Sequence, residues 1–263
     1  MKTVLITGAC INTGVAIVEK FASEGYNVIF TGRSVEKVHA AEKEYKAKFS
    51  DVQIIGYNID SLIDERTVDE ESVEKMFADI DARGLFVETL VLNAADQGLG
   101  QKIFENPLTD FMKVINTNIV WNYCLCEHAA RRMKEHGGGN IVFVNSNTAY
   151  RAIPDRVAYV ASKGGQLGLM RALALDLGKY NIRVNAVLPG MIKTDRWEKN
   201  PDFYAKVPSR FTPLGDVAVG EDVADAVYYF AAHARNTTGA ELVVDGGMLA
   251  QLTPNIDREL WKE

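Results

Sequence analysis

The stretch that decides the fold is TVLITGACINTGVAIVEKF, residues 3–21. The apolar run at 4–6 is typical of a buried strand, and an amphipathic pattern typical of a helix begins at Gly14. Gly8 predicts a sharp turn out of the strand. Gly14 would let the helix pack closely on the sheet, with its free N–H groups directed at a pyrophosphate. The stretch is therefore either a phosphate-binding turn or an ordinary corner between a strand and a helix.

The turn departs from the usual three-glycine spacing at its middle position, where Asn12 stands. That position needs unusual backbone angles, and asparagine is the non-glycine residue best suited to a positive φ because its short amide bonds locally. The substitution therefore leaves nucleotide binding open. The predicted phosphate-binding residues are Gly8, Cys10, Ile11, Asn12, Thr13 and Gly14.

Short β-branched runs alternate with longer helical patterns along the whole chain. The predicted strands are 3–7, 27–31, 52–57, 89–93, 140–145, 183–188 and 241–245. The predicted helices are 14–23, 35–49, 71–83, 107–136, 156–180 and 220–234. This alternation predicts an α/β fold, a Rossmann-like doubly wound parallel sheet of about seven strands with helices on both faces. We expect residues 1–263 to form a single domain that binds ligands beyond the carboxyl ends of the strands.

Composition excludes several classes of function. The 263 residues carry a net charge of -6, which argues against nucleic-acid and anionic-membrane partners. No apolar run reaches the roughly 18 residues of a membrane helix, and the immediate entry into a strand predicts no signal peptide. The cysteines Cys10, Cys124 and Cys126 are an odd set without metal-site partners in the sequence. We therefore expect no metal and a reduced, cytoplasmic location.

The end of the second predicted strand bears on the choice of coenzyme. In dinucleotide folds an acidic residue about 20 positions after the glycine turn binds the ribose hydroxyls of NAD. Arg33 stands here instead, followed by Ser34 and Lys37. Because a guanidinium offers a planar fork of donors to a 2′-phosphate, the sequence favours NADP over NAD. The alternative is a solvated arginine at the end of a strand.

Candidate catalytic side chains follow the later predicted strands. Tyr159 and Lys163 are four residues apart, so they share one face of the predicted helix 156–180. Ser146 lies 13 residues before Tyr159, just past a strand, and therefore at the carboxyl edge of the sheet. Asn118 falls in the preceding helix, and Pro189-Gly190 closes the next strand. The Tyr–Lys spacing alone is unspecific, but this combination is not.

Taken in order, these pieces resemble the short-chain dehydrogenase/reductase family over nearly the whole chain. The matching pieces are Thr7-Gly8 with Gly14, LNAA at 92–95, Asn118, Ser146, Tyr159-x-x-x-Lys163, PG at 189–190 and VVDGG at 243–247. Asn12 departs from the family pattern, and LNAA stands where the family usually has Asn-Asn-Ala-Gly. Asn93 is kept, and neither departure affects the residues of proton transfer.

The resemblance implies a role for each of these side chains. Tyr159 would be the general acid in ketone reduction and the base in alcohol oxidation. Acting as base near neutrality requires lowering the phenol pKa from near 10 by roughly 3 units, about 4 kcal/mol, which a cation about 4 Å away supplies at an effective dielectric near 20. Lys163 is that cation and would also bond the ribose. Ser146 would hold the substrate oxygen, and Asn118 would carry a water-mediated proton path from Lys163.

The resemblance also implies further contacts. Coenzyme contacts are expected from Asn58, Ile59, Asn93, Pro189, Gly190, Ile192 and Thr194. Substrate contacts are expected from Ser146, Tyr150, Tyr159 and Trp197, with 191–213 as a lid. The tail 248–263 is expected over a pocket rim, of its own subunit or a neighbour. A homotetramer is implied, with helices 107–136 and 156–180 between subunits.

The predicted activity is NAD(P)(H)-dependent hydride transfer between nicotinamide and a small-molecule secondary alcohol or ketone. IPDRVAYVASK and NAVLPGMIKT resemble segments of both bacterial hydroxysteroid dehydrogenases and 3-oxoacyl-carrier-protein reductases. A hydroxysteroid or another apolar carbonyl compound and an acyl-carrier substrate therefore both remain open. A coenzyme-binding protein without catalysis is a further alternative. A halohydrin-processing relative is disfavoured because such proteins carry arginine at the position of Lys163.

Overall fold

The computed structural model describes residues 1–100, 102–199, 201 and 207–253 and contains a seven-stranded, entirely parallel sheet. Its strands are β1 Thr3–Ile6, β2 Asn27–Gly32, β3 Ile54–Asn58, β4 Val87–Leu92, β5 Gly139–Val144, β6 Ile182–Pro189 and β7 Glu241–Val244. The spatial order is β3-β2-β1-β4-β5-β6-β7. The order reverses between β1 and β4, and such a switch point opens a crevice at the carboxyl ends of the strands.

Helices connect the strands and cover both faces of the sheet. They are α1 Thr13–Ser23, α2 Val35–Lys48, α3 Glu70–Ala82, α4 Leu108–Ile115, α5 Trp121–Glu135, α6 Val157–Gly178, α7 Asp195–Lys199, α8 Val207–Phe211 and α9 Gly220–Tyr228. In the part of the chain that the structure describes, none of them is long and apolar enough to cross a bilayer.

The core lies in two layers because successive strand side chains point to opposite faces. Val4 and Ile6 of β1 pack with α1, α2 and α9 on one face, whereas Leu5 packs with α3, α5 and α6 on the other. All three side chains are fully buried. The inner strands therefore have no solvent-facing side, which is why their sequences are continuously apolar, whereas the edge strands β3 and β7 are only partly buried.

The structure confirms the predicted α/β class, the seven strands and the helices between them. It differs inside the predicted helix 107–136, which consists of α4, a π-helical segment Asn116–Val120 and α5. A second π-helical segment, Tyr229–His233, follows α9. The first matters for the site because it contains Asn118, and π-helical turns displace a backbone carbonyl from regular helical pairing.

Candidate active site at the carboxyl edge of the sheet

The turn after β1 has room only for glycine at two positions. A Cβ on Gly14 would lie 2.5 Å from the Gly8 carbonyl oxygen, and one on Gly8 would lie 2.9 Å from Ala94 Cα. Gly8 also has a φ of +66°, which side chains other than glycine rarely adopt. Asn12 has a φ of 50° and a ψ of -130°, so the expectation of a positive φ there is confirmed. The turn is tightly constrained and presents the N-terminus of α1 to the crevice.

Thr7 and Asn93 fasten this turn to β4. Thr7 Oγ1 accepts hydrogen bonds of 3.0 Å from the backbone N–H groups of Asn93 and Ala94. Asn93 Nδ2 donates to the carbonyl oxygens of Thr7 and Gly8, each at 3.0 Å. Asn93 therefore holds the backbone of the predicted phosphate-binding turn in place through these two carbonyl groups. The sequence did not identify this function, since its partners lie about 85 residues away along the chain.

A cavity of about 950 Å³ opens above the switch point. Its lining includes these residues predicted to bind coenzyme: Gly8, Cys10, Ile11, Asn12, Thr13, Gly14, Arg33, Ser34, Ile59 and Asn93. Thr31, Lys37, Asp60 and Ser61 also line it, and of these four only Lys37 was indicated by the sequence. Asn58 does not line this cavity, and its Nδ2 donates instead to the Gly32 carbonyl at 3.1 Å. The glycine cradle, the helix N-terminus and this volume fit a dinucleotide.

Mixed charge surrounds the end of β2. Arg33 is exposed and Lys37 lines the same cavity. The Ser34 hydroxyl donates to Glu36 Oε2 at 2.7 Å and accepts from the Lys37 backbone N–H at 3.3 Å. Ser34 therefore caps α2, and its hydroxyl already has partners within the protein.

Ser146, Tyr159 and Lys163 come together at the end of β5. Ser146 is buried, and its hydroxyl lies close enough to the Tyr159 phenol to lower the pKa of that phenol. Ser146 Oγ also accepts from the Thr148 N–H at 3.1 Å, which fixes its side chain. Lys163 Nζ lies 5.6 Å from the centre of the Tyr159 ring. One serine, one phenol and one ammonium thus share the carboxyl edge of the sheet.

Burial dominates the electrostatics of this cluster. It raises the pKa of the Tyr159 phenol, and the Ser146 hydrogen bond and the Arg156 charge offset that effect only in part. Burial also lowers the pKa of Lys163 to about 7. In the protein alone, burial therefore holds the phenol pKa above its ordinary value, and Lys163 is not among the influences resolved on it. Among the described residues Lys163 has no carboxylate partner, so its buried ammonium is poorly stabilised.

Asn118 and Lys163 are joined by a side chain that the sequence analysis did not single out. Lys163 Nζ donates to the Val144 carbonyl at 3.0 Å and to Gln166 Oε1 at 3.2 Å. Gln166 Nε2 donates to the Asn118 carbonyl at 2.7 Å. Gln166 thus connects Lys163 with the Asn118 carbonyl directly through protein atoms. The Asn118 side chain is bonded to the backbone of Asp96 and to Ser162.

The segment after β6 begins close to β7. A Cβ on Gly190 would lie 2.6 Å from Asp245 Cβ, and the Gly190 N–H donates to the Val244 carbonyl at 2.9 Å. The Trp197 indole donates to the Ile192 carbonyl at 3.1 Å, and the Trp197 N–H to the Thr194 carbonyl at 2.8 Å. Pro189, Gly190, Ile192 and Thr194 follow the predicted edge but do not line the 950 Å³ cavity. Phe203 and Tyr204, predicted as part of a lid, lie outside the described residues.

Tyr150 faces a surface ion pair. Its hydroxyl donates to Glu241 Oε2 at 2.5 Å, and Arg171 pairs with the other oxygen of Glu241 at 2.8 Å. The hydroxyl that was expected to contact substrate is therefore engaged with the edge strand β7.

The first residues of the tail pack on their own subunit. Arg151 donates to the Leu249 carbonyl at 2.9 Å, and Gln251 donates to the Phe211 carbonyl at 2.8 Å. The start of the tail thus connects the loop after Ser146 with α8. Residues 254–263 lie outside the described part of the chain.

Comparison with known proteins identifies the family. The family model described as Enoyl-(Acyl carrier protein) reductase matches residues 8–249. The L-rhamnose 1-dehydrogenase (NAD(P)(+)) of Azotobacter vinelandii is 34% identical over 260 residues, covering 95% of this chain and 98% of its own. The chain belongs to the short-chain dehydrogenase/reductase family.

Other members of the family have different named substrates. The 3alpha-hydroxysteroid dehydrogenase of Mediterraneibacter gnavus is 32% identical over 248 residues, covering 93% of this chain and 96% of its own. The L-sorbose reductase structure from Gluconobacter frateurii, complexed with NADPH and L-sorbose, has a TM-score of 0.86 and 26% identity, covering 95% of this chain and 97% of its own. This short-chain dehydrogenase/reductase is therefore an oxidoreductase that acts on CH–OH and carbonyl groups with a nicotinamide coenzyme.

Proposed function

We propose that this short-chain dehydrogenase/reductase is an NADPH-dependent reductase of small ketones, with Tyr159 as the proton donor. The observation that carries the proposal is the placement of the Ser146 hydroxyl, the Tyr159 phenol and the buried Lys163 side by side at the end of β5. Raised by burial, the phenol pKa keeps Tyr159 protonated at neutral pH, which is the state that an acid requires. The same residues serve the reverse oxidation of a secondary alcohol.

The side chains have distinct tasks in this mechanism. Ser146 and Tyr159 both direct O–H donors at the ketone oxygen, where negative charge develops during reduction. Tyr159 gives its proton to that oxygen, and Lys163 stabilises the resulting phenolate. When bound, the nicotinamide coenzyme supplies the hydride. Gly8, Gly14 and the N-terminus of α1 would hold its pyrophosphate. Pro189, Gly190, Ile192 and Thr194 are proposed to hold its nicotinamide end.

The preference for NADPH rests on the cations at the end of β2. Arg33 and Lys37 line the cavity at the end of β2, while Asp60, Asp64 and Glu65 line it further along and Glu36 lies between the two cations in the sequence. A guanidinium binds phosphate through two parallel hydrogen bonds, which favours a coenzyme with a 2′-phosphate. The sorbose reductase structure, which resembles this chain over nearly its whole length, contains NADPH.

A diffusible ketone is favoured over a substrate carried on an acyl-carrier protein. An acidic carrier needs free cations near the mouth of the site, yet Arg151 and Arg156 donate to the Leu249 and Gln97 carbonyl groups of their own chain. A hydroxysteroid ketone belongs to the proposed class, and the steroid-specific relative supports it. Trp197 and the segment 191–213 are proposed to cover the substrate.

The proposal includes a homotetramer that forms through α4, α5 and α6. Exposed apolar side chains on these helices and the segment between them include Leu108, Phe111, Val120, Tyr123, Val157 and Leu175. Surfaces of this kind typically mark protein interfaces. Light scattering should give about four times the chain mass of 29.1 kDa, and a monomeric mass would contradict the assembly. A cytoplasmic location is proposed with it, supported by the three free cysteines.

The activity is tested by NADPH oxidation across a panel of steroid, sugar-derived and simple ketones. Wild-type protein should turn over at least one of them, and Tyr159→Phe should lose about 10³-fold or more in kcat with NADPH affinity unchanged. Tyr229→Phe, which removes an exposed phenol, is the matched control. Tight NADPH binding without turnover of any ketone or alcohol would instead support the non-catalytic alternative.

A further inference from the structure

Gln166 lies at the centre of a buried polar network behind the proposed catalytic residues. The network consists of Asn118, Asn122, Asn145, Lys163 and Gln166, each of which is less than 5% exposed. Gln166 Oε1 accepts from Lys163 Nζ at 3.2 Å and from Asn145 Nδ2 at 3.1 Å. On its other side, Gln166 Nε2 donates to the Asn118 carbonyl at 2.7 Å. One amide therefore joins α6, β5 and the π-helical segment.

The chemistry of its partners fixes how this amide points. An ammonium only donates and a carbonyl only accepts, so Oε1 must face Lys163 and Nε2 must face Asn118. The Asn118 carbonyl also accepts from Asn122 Nδ2 at 2.9 Å, which occupies its second lone pair. A water between Lys163 and this carbonyl would find no acceptor site left.

We propose that Gln166 is a positioning residue that replaces a bridging water, holding the Lys163 ammonium beside Tyr159 and closing the route from Lys163 to the Asn118 carbonyl. This inference rests on the proposed function. A neutral acceptor stabilises the ammonium without cancelling its charge, so the charge still acts on the phenolate. An amide also has no proton to pass on near neutral pH. The proton that Tyr159 gives to the substrate is therefore not replaced through Gln166 and Asn118. It is replaced from the opposite side of Lys163, where the substrate and coenzyme bind.

The groups around Lys163 and Tyr159 are mostly neutral, so the hydrogen bond to Gln166 Oε1 is important for keeping Lys163 charged. Burial is the resolved influence on Lys163, and Arg156 at the start of α6 is the charged group that acts on Tyr159. Asn145 and Ser146, which face the cluster from the end of β5, carry no charge. Loss of the Gln166 acceptor would leave a buried ammonium with the Val144 carbonyl as its remaining partner in the described structure.

The test is the pH profile of alcohol oxidation in two variants of similar volume. Gln166→Met removes the acceptor, and Gln166→Glu supplies a carboxylate that cancels the ammonium charge. Both should move the pKa of kcat upward by about one unit, which lowers kcat near pH 7 about tenfold, with NADP affinity unchanged. Leu167→Met, a volume-conserving change at the next buried position, should retain the wild-type profile.

The outcomes separate this inference from the proposed function. Wild-type protein without turnover would reject the function itself. Turnover that depends on Tyr159 but has the same pH profile in both Gln166 variants would reject only the role of Gln166. If Gln166→Met does not fold, Gln166→Glu decides the question, because it keeps the length and polarity of the side chain.

A separate cluster of side chains with metal-ligating atoms lies between α3 and α5, and it includes one of the three cysteines. Cys124 and His128 stand four residues apart on one face of α5, opposite Glu70 in the first turn of α3. One ligand atom from each lies within 4.8 Å of the other two. The His128 ring is held by stacking on Phe77, with ring centres 5.7 Å apart.

The geometry points to a zinc-binding site formed by the thiolate, imidazole and carboxylate of these three residues. Tetrahedral zinc requires ligand atoms about 3.3–3.8 Å apart, and the ligand atoms of these three side chains, which lie within 4.8 Å of one another, need only small shifts to reach that spacing. Binding would release the thiol proton and connect α3 to α5.

The test is metal content after dialysis against zinc, together with the thiolate-to-metal absorption band of the cobalt-substituted protein. Wild-type protein and Cys126→Ser should bind about one ion per chain, whereas Cys124→Ser should bind almost none and lack the band. Cys126 is the matched control because it is buried and outside the cluster. Zinc-free wild-type protein, or equal binding by Cys124→Ser, would overturn the site.

Discussion

Replacement of Arg33 by alanine should weaken NADPH far more than NADH. Arg33 is exposed, so its charge acts through a largely aqueous path, for which two unit charges about 4 Å apart interact with about 1 kcal/mol. A phosphate monoester carries nearly two charges at pH 7, which gives about 2 kcal/mol, or roughly 30-fold in Kd. NADH has no 2′-phosphate, and its Kd should change less than about twofold.

The neighbouring Glu36 provides a control of opposite sign. It lies in the same first turn of α2 and is bonded to Ser34. Glu36→Gln removes a repulsive charge and should tighten NADPH a few-fold while leaving NADH unchanged. Salt should reduce both effects, because the Debye length falls from about 8 Å at 0.15 M to about 3 Å at 1 M.

The assay is titration of each variant with both coenzymes, followed by calorimetry or nicotinamide fluorescence at two salt concentrations. The ratio of the two Kd values isolates the 2′-phosphate, because every other part of the coenzymes is the same. Equal weakening of NADPH and NADH by Arg33→Ala would refute the placement of the 2′-phosphate at this arginine. So would an unchanged ratio in Glu36→Gln combined with an unchanged ratio in Arg33→Ala.

Three further changes have effects whose sign follows from the structure. Asn12→Gly should raise the free energy of unfolding by about 1 kcal/mol in chemical denaturation, because a φ of 50° with a ψ of -130° strains a residue with a side chain; an unchanged or lower value would contradict the strain. Gly14→Ala should abolish coenzyme binding in the same titrations and lower Tm, since its Cβ would lie 2.5 Å from a carbonyl oxygen; normal binding would show that the turn can yield. Lys163→Met should be more stable than wild type at pH 6 by a few kcal/mol. The folded pKa near 7 lies below the unfolded value of 10.5, so the unfolded chain binds more protons and wild-type stability should rise with pH between about 7 and 10.5. Urea unfolding at pH 6 and pH 9 measures both, and parallel pH profiles of the two proteins would contradict the assignment.

Local patterns predicted the strands and the long helices well, because the inner strands are buried on both faces and the long helices bury one face. The break within 107–136 could not be predicted in this way. A π-helical turn inserts one residue without disturbing the apolar periodicity on either side of it. Only the three-dimensional structure reveals the π-helical segment Asn116–Val120, which contains Asn118.

The sequence predicted those site residues whose role follows from residue type and local spacing. It did not predict roles that depend on contacts with residues far away along the chain. Ser146, Tyr159 and Lys163 follow from their positions at the end of β5 and on α6. Gln166 gains its importance from Asn118, which lies 48 residues away along the chain. Tyr150 was assigned to substrate because it follows Ser146, but Glu241, 91 residues away, engages its hydroxyl. Such pairings require the tertiary structure.

The buried Lys163 lowers the stability of the fold, but it provides the positive charge that the proposed proton transfer needs. Burial destabilises an ammonium, and no carboxylate accompanies Lys163 among the influences resolved on it. A carboxylate partner would improve stability but would cancel the charge that the Tyr159 phenolate needs. Two neutral acceptors, the Val144 carbonyl and Gln166 Oε1, instead hold the ammonium in place. The site thus keeps a positive charge beside Tyr159. Burial of that charge lowers the free energy of unfolding, and the apolar packing of the two core layers must offset this loss.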